Sequence, residues 1–158
     1  MTDNIIIDIF LDETETPFAR YYNADNFHLS SDLEDFIFSK LHNGRKRKVE
    51  ILLKGQNNYE EKSLKTAISN TFSNRVKVDK YIYTRNNIKA CILYVIGIIV
   101  GLTFLWLTSI NAYIAGVLSI MCWVFLWAGT EIYFFDNREI KTDIRKCKNI
   151  INANVLKK

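Results

Sequence analysis

Between Ala90 and Thr130 the chain carries no Asp, Glu, Lys or Arg, a run of 41 residues in a protein of 158. All 21 basic and 17 acidic side chains fall outside it. A helix of that length would extend about 60 Å, twice the roughly 30 Å of a bilayer core. One crossing is too short for the run and two fit it. A soluble hairpin would need more amphipathic chain to cover it than the rest of the sequence supplies. The spacing predicts transmembrane helices over Ala90–Thr108 and Tyr113–Thr130, with Ser109, Ile110, Asn111 and Ala112 in the turn. The mean hydropathy of −0.02 averages this apolar run with polar flanks and carries no class information.

Flanking charge sets the expected orientation. Arg75, Lys77, Lys80, Arg85 and Lys89 precede the first span; Arg138, Lys141, Arg145, Lys146 and Lys148 follow the second. The turn has no charge. By the positive-inside rule both termini belong in the cytoplasm of a multi-pass inner-membrane protein. The expected division is a cytosolic domain over 1–89, the hairpin over 90–130 and a basic tail over 131–158. The apolar start Ile5-Ile6-Ile7 is broken by Asp8 and has neither a basic segment before it nor a small-residue cleavage site after it, so no cleaved signal is expected.

Small residues recur every four positions. Gly97 and Gly101 mark the first span; Ala112 with Gly116 and Ala115 with Ser119 mark the second. Such stripes allow close backbone approach in lipid, either inside the hairpin or between protomers. Trp106 and the group Trp127, Tyr133, Phe134 and Phe135 suit the two interfaces, while the deeper Trp123 is expected to pack between helices. Glu131 falls at the inner boundary, where a carboxylate meets water or headgroups at small cost. With Asp136 and Arg138 it forms a candidate membrane-edge site.

Outside the spans, the first 35 residues hold nine carboxylates against Arg20 alone, whereas residues 36–89 hold 13 basic and four acidic side chains. Opposite signs steer such blocks together, within a domain or between copies. Ser31-Asp32-Leu33-Glu34 has the form of a capping box before a helix with Leu33, Phe36, Ile37 and Leu41 on one face, stopped at Asn43-Gly44. Lys48 to Lys54 reads as a strand, and Leu64, Ala67, Ile68 and Phe72 recover helical spacing. Ile5 to Leu11 suits a strand beside it or a short helix, and residues 74–89 suit a strand or a helical stem. The expected fold class is an α+β cytosolic domain followed by a transmembrane α-helical hairpin.

The basic run Arg45, Lys46, Arg47 and Lys48 suits a solvated face, an anionic lipid surface or a phosphate ligand. Asp12, Glu13 and Glu15 make an acidic cluster. His28 and His42 lack metal-ligand spacing, and Cys91, Cys122 and Cys147 show neither a zinc nor a disulfide pattern. No phosphate-binding glycine loop or nucleophile motif is present, so no metal, cofactor or catalytic set is expected.

The segment from Cys122 to Asp136 resembles the end of a family of small, uncharacterised bacterial two-span inner-membrane proteins. In that family a Trp-Val-x-Leu-Trp stretch runs into Arg-Pro-x-Glu and Tyr-Asp before a basic tail. Trp123, Val124, Trp127, Glu131 and Asp136 match; Ala128-Gly129 stand where the family has Arg-Pro. Thr16-Pro17-Phe18, Ser31 to Ile37 and Asn70-Thr71-Phe72 are similar in order and spacing. The resemblance implies a membrane protein with a cytosolic N-terminal domain and supplies no activity to carry over.

These readings lead to a non-enzymatic membrane protein whose cytosolic domain binds a partner protein, a second copy or a small-molecule ligand. Its expected contacts are membrane lipid and a homo-oligomer, not nucleic acid. The alternatives are an oligomeric pore gated by that domain, as in bacterial defence effectors, and a headgroup-modifying enzyme built on Glu131, Asp136 and Arg138.

Overall fold

The computed structural model describes residues 5–11, 16–20, 22, 27–41, 48–55 and 60–157. The acidic cluster Asp12, Glu13 and Glu15, together with His42, Asn43-Gly44 and the basic Arg45, Lys46 and Arg47, lies outside them. The elements are β1 (Ile5–Phe10), α1 (Ser31–Ser39), β2 (Val49–Lys54), α2 (Glu61–Leu107), α3 (Ala112–Glu131), a π-helical turn (Ile132–Asp136), α4 (Asn137–Ile151) and β3 (Asn154–Lys157). Most of the described chain is helical, with one small sheet. Two compact units result, Met1–Asp79 with Thr142–Lys158, and Lys80–Lys141. They differ from the expected division at 89 and 131, because residues that follow the hairpin return to the first unit.

In the first unit the strands are all parallel in the order β1-β2-β3, with Ile7 beside Ile51 and Ile51 beside Val155. Strand and helix residues are both present as expected, but in crossovers rather than segregated layers. The second crossover, from β2 to β3, contains the whole second unit as an insertion. Ile7, Ile9, Val49, Ile51, Leu53 and Val155 face one core. Against them pack Ile37 of α1, Leu64, Ile68 and Phe72 of α2, and Cys147 and Ile150 of α4. Right-handed crossovers that step in one direction through a sheet lay their helices on a single face. That rule explains why every buried strand residue has the same parity.

The tail read only as basic is thus a helix and a strand. Its signal was Ile144, Cys147, Ile150 and Ile151 at helical spacing, a stripe that packs on the core, followed by Val155-Leu156. The capping box also fails to form. Ser30 is the N-cap of α1 and makes no side-chain cap bond, while Glu34 Oε1 accepts instead from Arg75 at 2.9 Å. A charge-assisted bond to a guanidinium is stronger than a reach back to an amide that water also satisfies. The ambiguous stem over 74–89 is helical, continuous within α2.

The second unit is a helical hairpin. Its turn includes Asn111, whose side chain accepts from the amides of Tyr113 and Ile114 at 3.0 and 3.3 Å and caps α3. Close packing follows the glycines. A Cβ on Gly97 would lie 2.9 Å from Leu126 Cδ2, one on Gly101 3.1 Å from Cys122 Sγ, and one on Gly129 3.3 Å from the Ala90 carbonyl oxygen. Tyr94 Oη and Thr130 Oγ1 are hydrogen-bonded at 3.1 Å. Both long helices are apolar and long enough to cross a membrane, and only 11% of each apolar window is buried.

Candidate functional site

In the first unit a cleft of about 1070 Å³ lies beside β1 and the start of α1. Leu11, Pro17, Phe18, Leu33 and Phe36 supply apolar wall, and Ser30 to Asp32 bring backbone from the helix start. Pairing of Phe18 with Leu29 holds the loop wall in place, through bonds from Ala19 N to the His28 carbonyl and from Ser30 N to the Pro17 carbonyl, both 2.9 Å. β1 is an edge strand. Ile5 and Leu11 donate to Lys48 and Lys54 carbonyls of the β2 side at 3.0 and 3.1 Å. In a parallel ladder the alternate residues Ile6, Asp8 and Phe10 then direct their backbone groups to the outer edge. Two of the carboxylates here are engaged, Asp8 with Lys54 at 2.8 Å and Glu34 with Arg75 at 2.9 Å, while Asp32 is exposed. What remains suits an apolar or aromatic segment able to hydrogen-bond an open strand.

A second opening, about 280 Å³, is lined by Tyr22, His28, Thr71, Asn74, Arg75 and others. Leu29 N donates to Thr71 Oγ1 at 2.9 Å, and the His28 ring stacks on Tyr22 with centroids 4.0 Å apart. Arg75 lies 4.0 Å over the Phe38 ring, and Lys146 Nζ lies 5.0 Å from the same ring's centroid. Burial works against the Arg75 cation, but the bond and charge of Glu34 outweigh it and raise its pKa.

Behind this charged layer burial raises the Asp79 carboxyl, Arg75 opposing and Asp143 adding to the effect. Its Oδ2 is buried and has no hydrogen-bond partner among the described residues. Burial also pushes the Cys147 thiol up to about 12, which makes it inert as a nucleophile.

In the second unit Asn137 is 1% exposed and donates to Asn87 Oδ1 at 2.7 Å, joining the start of α4 to α2. Nearby, hydrogen bonds with Asn87 and Lys141 lower the Tyr83 pKa. Sequence alone did not point to this amide pair, since neither asparagine breaks the helical pattern.

The residues singled out from the sequence are distributed as follows. Glu131 ends α3, Asp136 ends the π-helical turn and Arg138 lies in the first turn of α4, all exposed. A π turn rotates the side chains that follow it relative to those before, and such turns concentrate at functional positions. Gly97 is buried and Gly101 half-buried within the hairpin, and Ala115 is buried with them; Ala112, Gly116 and Ser119 are exposed. Nothing lies within 4 Å of a Cβ at Gly116. Trp123 is 67% exposed instead of packed between helices, and stacks at 6.4 Å on Trp127. Lys48 is exposed.

Comparison with family models, curated proteins and solved structures finds no match to this chain.

Proposed function

We propose that the protein is a non-enzymatic, membrane-anchored binding module. In this reading the apolar hairpin crosses the inner membrane twice, and the α/β unit at the cytoplasmic surface takes a partner segment or small ligand in the cleft beside β1. The carrying observation is that β3, which follows the hairpin, pairs with β2, which precedes it. Strands of one sheet share one compartment, which supports an even number of crossings in this reading. The basic residues on both flanks favour the cytoplasm for that compartment. Water does not favour the exposure of Ile98, Leu102, Leu105 and Trp106, each more than half exposed in the hairpin; lipid does.

The test is topology. Alkaline phosphatase fused at Asn111 is expected to be active outside the cytoplasm, and fusions at either terminus inactive. An inactive Asn111 fusion with active termini, or extraction of the protein by alkaline carbonate, would overturn the reading.

Ala112, Gly116 and Ser119 face away from the hairpin's own packing, which favours a second reading as an oligomer of hairpins, with or without a conducting pore. Conductance in planar bilayers tests the pore.

A further inference from the structure

Cations of the two units differ in what they hold. In the first unit Lys54, Arg75 and Lys146 pair with carboxylates at 2.8, 2.9 and 3.3 Å. In the second, Lys80, Arg85, Lys89 and Lys141 have no carboxylate partner among the described residues. Residues 80–89 and 131–141 together carry five basic and three acidic side chains, and 80–89 carry no acidic one.

Lys141 lies across from Tyr83, its Nζ 5.1 Å from the ring centroid. The Tyr83 oxygen accepts from the Asn87 amide and from Lys141, which uses both of its lone pairs. Its own proton is left to donate outward, and Lys141 keeps two further N–H groups. The 2.7 Å bond from Asn137 to Asn87 holds α4 against α2 one turn away, so these donors are fixed in place. Glu139 sits two residues past Asn137 and so about 200° round α4, away from the side that meets α2.

We propose that Tyr83 and Lys141 bind the phosphodiester of an anionic phospholipid in the cytoplasmic leaflet. Two donors one hydrogen bond apart meet the two non-ester oxygens of one phosphodiester, and the ammonium balances its single charge. Lys80, about one turn before Tyr83, and Arg138, about one turn before Lys141, add to the positive field there. The site rests on the membrane reading above, because only insertion sets it at headgroup depth. Asn87 is about 4.5 Å and Tyr83 about 10 Å along α2 from Ala90, where the charge-free run begins. The headgroup layer outside the hydrocarbon is about 5 to 8 Å deep, and side chains of α4 lean toward its start, back toward that run. α2 continues unbroken into the run, where Ile92 and Ile99 are more than half exposed and offer acyl chains a flank. A free phosphate gains nothing from that flank.

The test uses the full chain purified from membranes in which it resists alkaline carbonate. Native mass spectrometry then reads the lipid retained from micelles doped equally with phosphatidylglycerol and phosphatidylcholine. Phosphatidylglycerol is expected to dominate. Lys141→Gln should lower that preference about fivefold, the factor one basic group contributes beside an anionic leaflet. Tyr83→Phe should lower it too, Lys141→Arg should keep it, and Lys62→Gln, exposed on α2 in the first unit, should leave it unchanged. Inorganic phosphate in excess should not displace the lipid. Equal retention of the two lipids, indifference to Lys141→Gln, an equal loss in Lys62→Gln, or displacement by inorganic phosphate would overturn the proposal. A chain that carbonate extracts overturns the membrane reading as well, whereas an integral chain without lipid preference overturns this site alone.

Discussion

Arg75 Nη1 donates to Glu34 Oε1 at 2.9 Å and lies 3.7 Å from Asp35 Oδ1, which ties α2 to α1. The same guanidinium covers Phe38. Replacing Arg75 by Met keeps much of the stem but leaves Glu34 without its cation, and a loss of about 1 to 3 kcal/mol is expected. Arg75→Lys should recover only part, because an ammonium cannot both stack on the ring and bond the carboxylate in one plane. Urea denaturation of the detergent-solubilised chain measures both.

Asp79 should make stability fall as pH rises. Its carboxyl is raised in the folded state, chiefly by burial, so between the ordinary aspartate range and that raised value the native state binds more protons than the unfolded one. The stability it contributes is present at and below the ordinary range and is lost as pH passes through the raised value. Asp79→Asn removes this dependence. The variant should melt above the wild type at pH 7, with the gap closing toward pH 4; a constant gap in thermal scans would contradict this.

Two glycines of similar sequence context should behave oppositely. Gly97→Leu meets Leu126 and must push α2 and α3 apart, whereas Gly116→Leu meets nothing. Energy transfer between dyes at the two ends of the hairpin should fall in the first variant and hold in the second. If Gly116→Leu instead lowers the cross-linking of Ala112→Cys between copies, the exposed stripe is a contact between protomers.

Neighbouring residues of β3 differ in what they contribute to stability. Val155 is 3% exposed in the core, so Val155→Asp buries an unpaired carboxylate and should cost more than about 3 kcal/mol. Leu156 is 47% exposed, so Leu156→Asp should change stability by no more than about 0.5 kcal/mol. Pulse proteolysis in urea compares the two variants.

The helical hairpin and β2 were legible because their signals are local, a charge-free run and the β-branched run around Val49 to Leu53, whereas Ile5 to Leu11 suited a strand or a short helix until its pairing with β2 decided it. Pairing partners are not local. Nothing in Val155-Leu156 alone names β2 as the strand it joins, and a basic surface masked the stripe of Ile144, Cys147 and Ile150. The capping box misled because Ser31 and Glu34 satisfy the motif, while Arg75, more than 40 residues away, competes for the same carboxylate. Nor was the cleft visible in advance, since its walls come from three separated segments that only the fold assembles.

Because the crossover from β2 to β3 contains the hairpin, the order of synthesis matters. A ribosome makes β1, α1 and β2 first, then both apolar helices, and only afterwards the strand that closes the sheet. Until then one side of β2 has no neighbour. Translation therefore acts as a sequential assembly line in which the sheet of the first unit closes only after both apolar helices have been made. Closure of the sheet by β3 thus reports that both apolar helices have already left the ribosome.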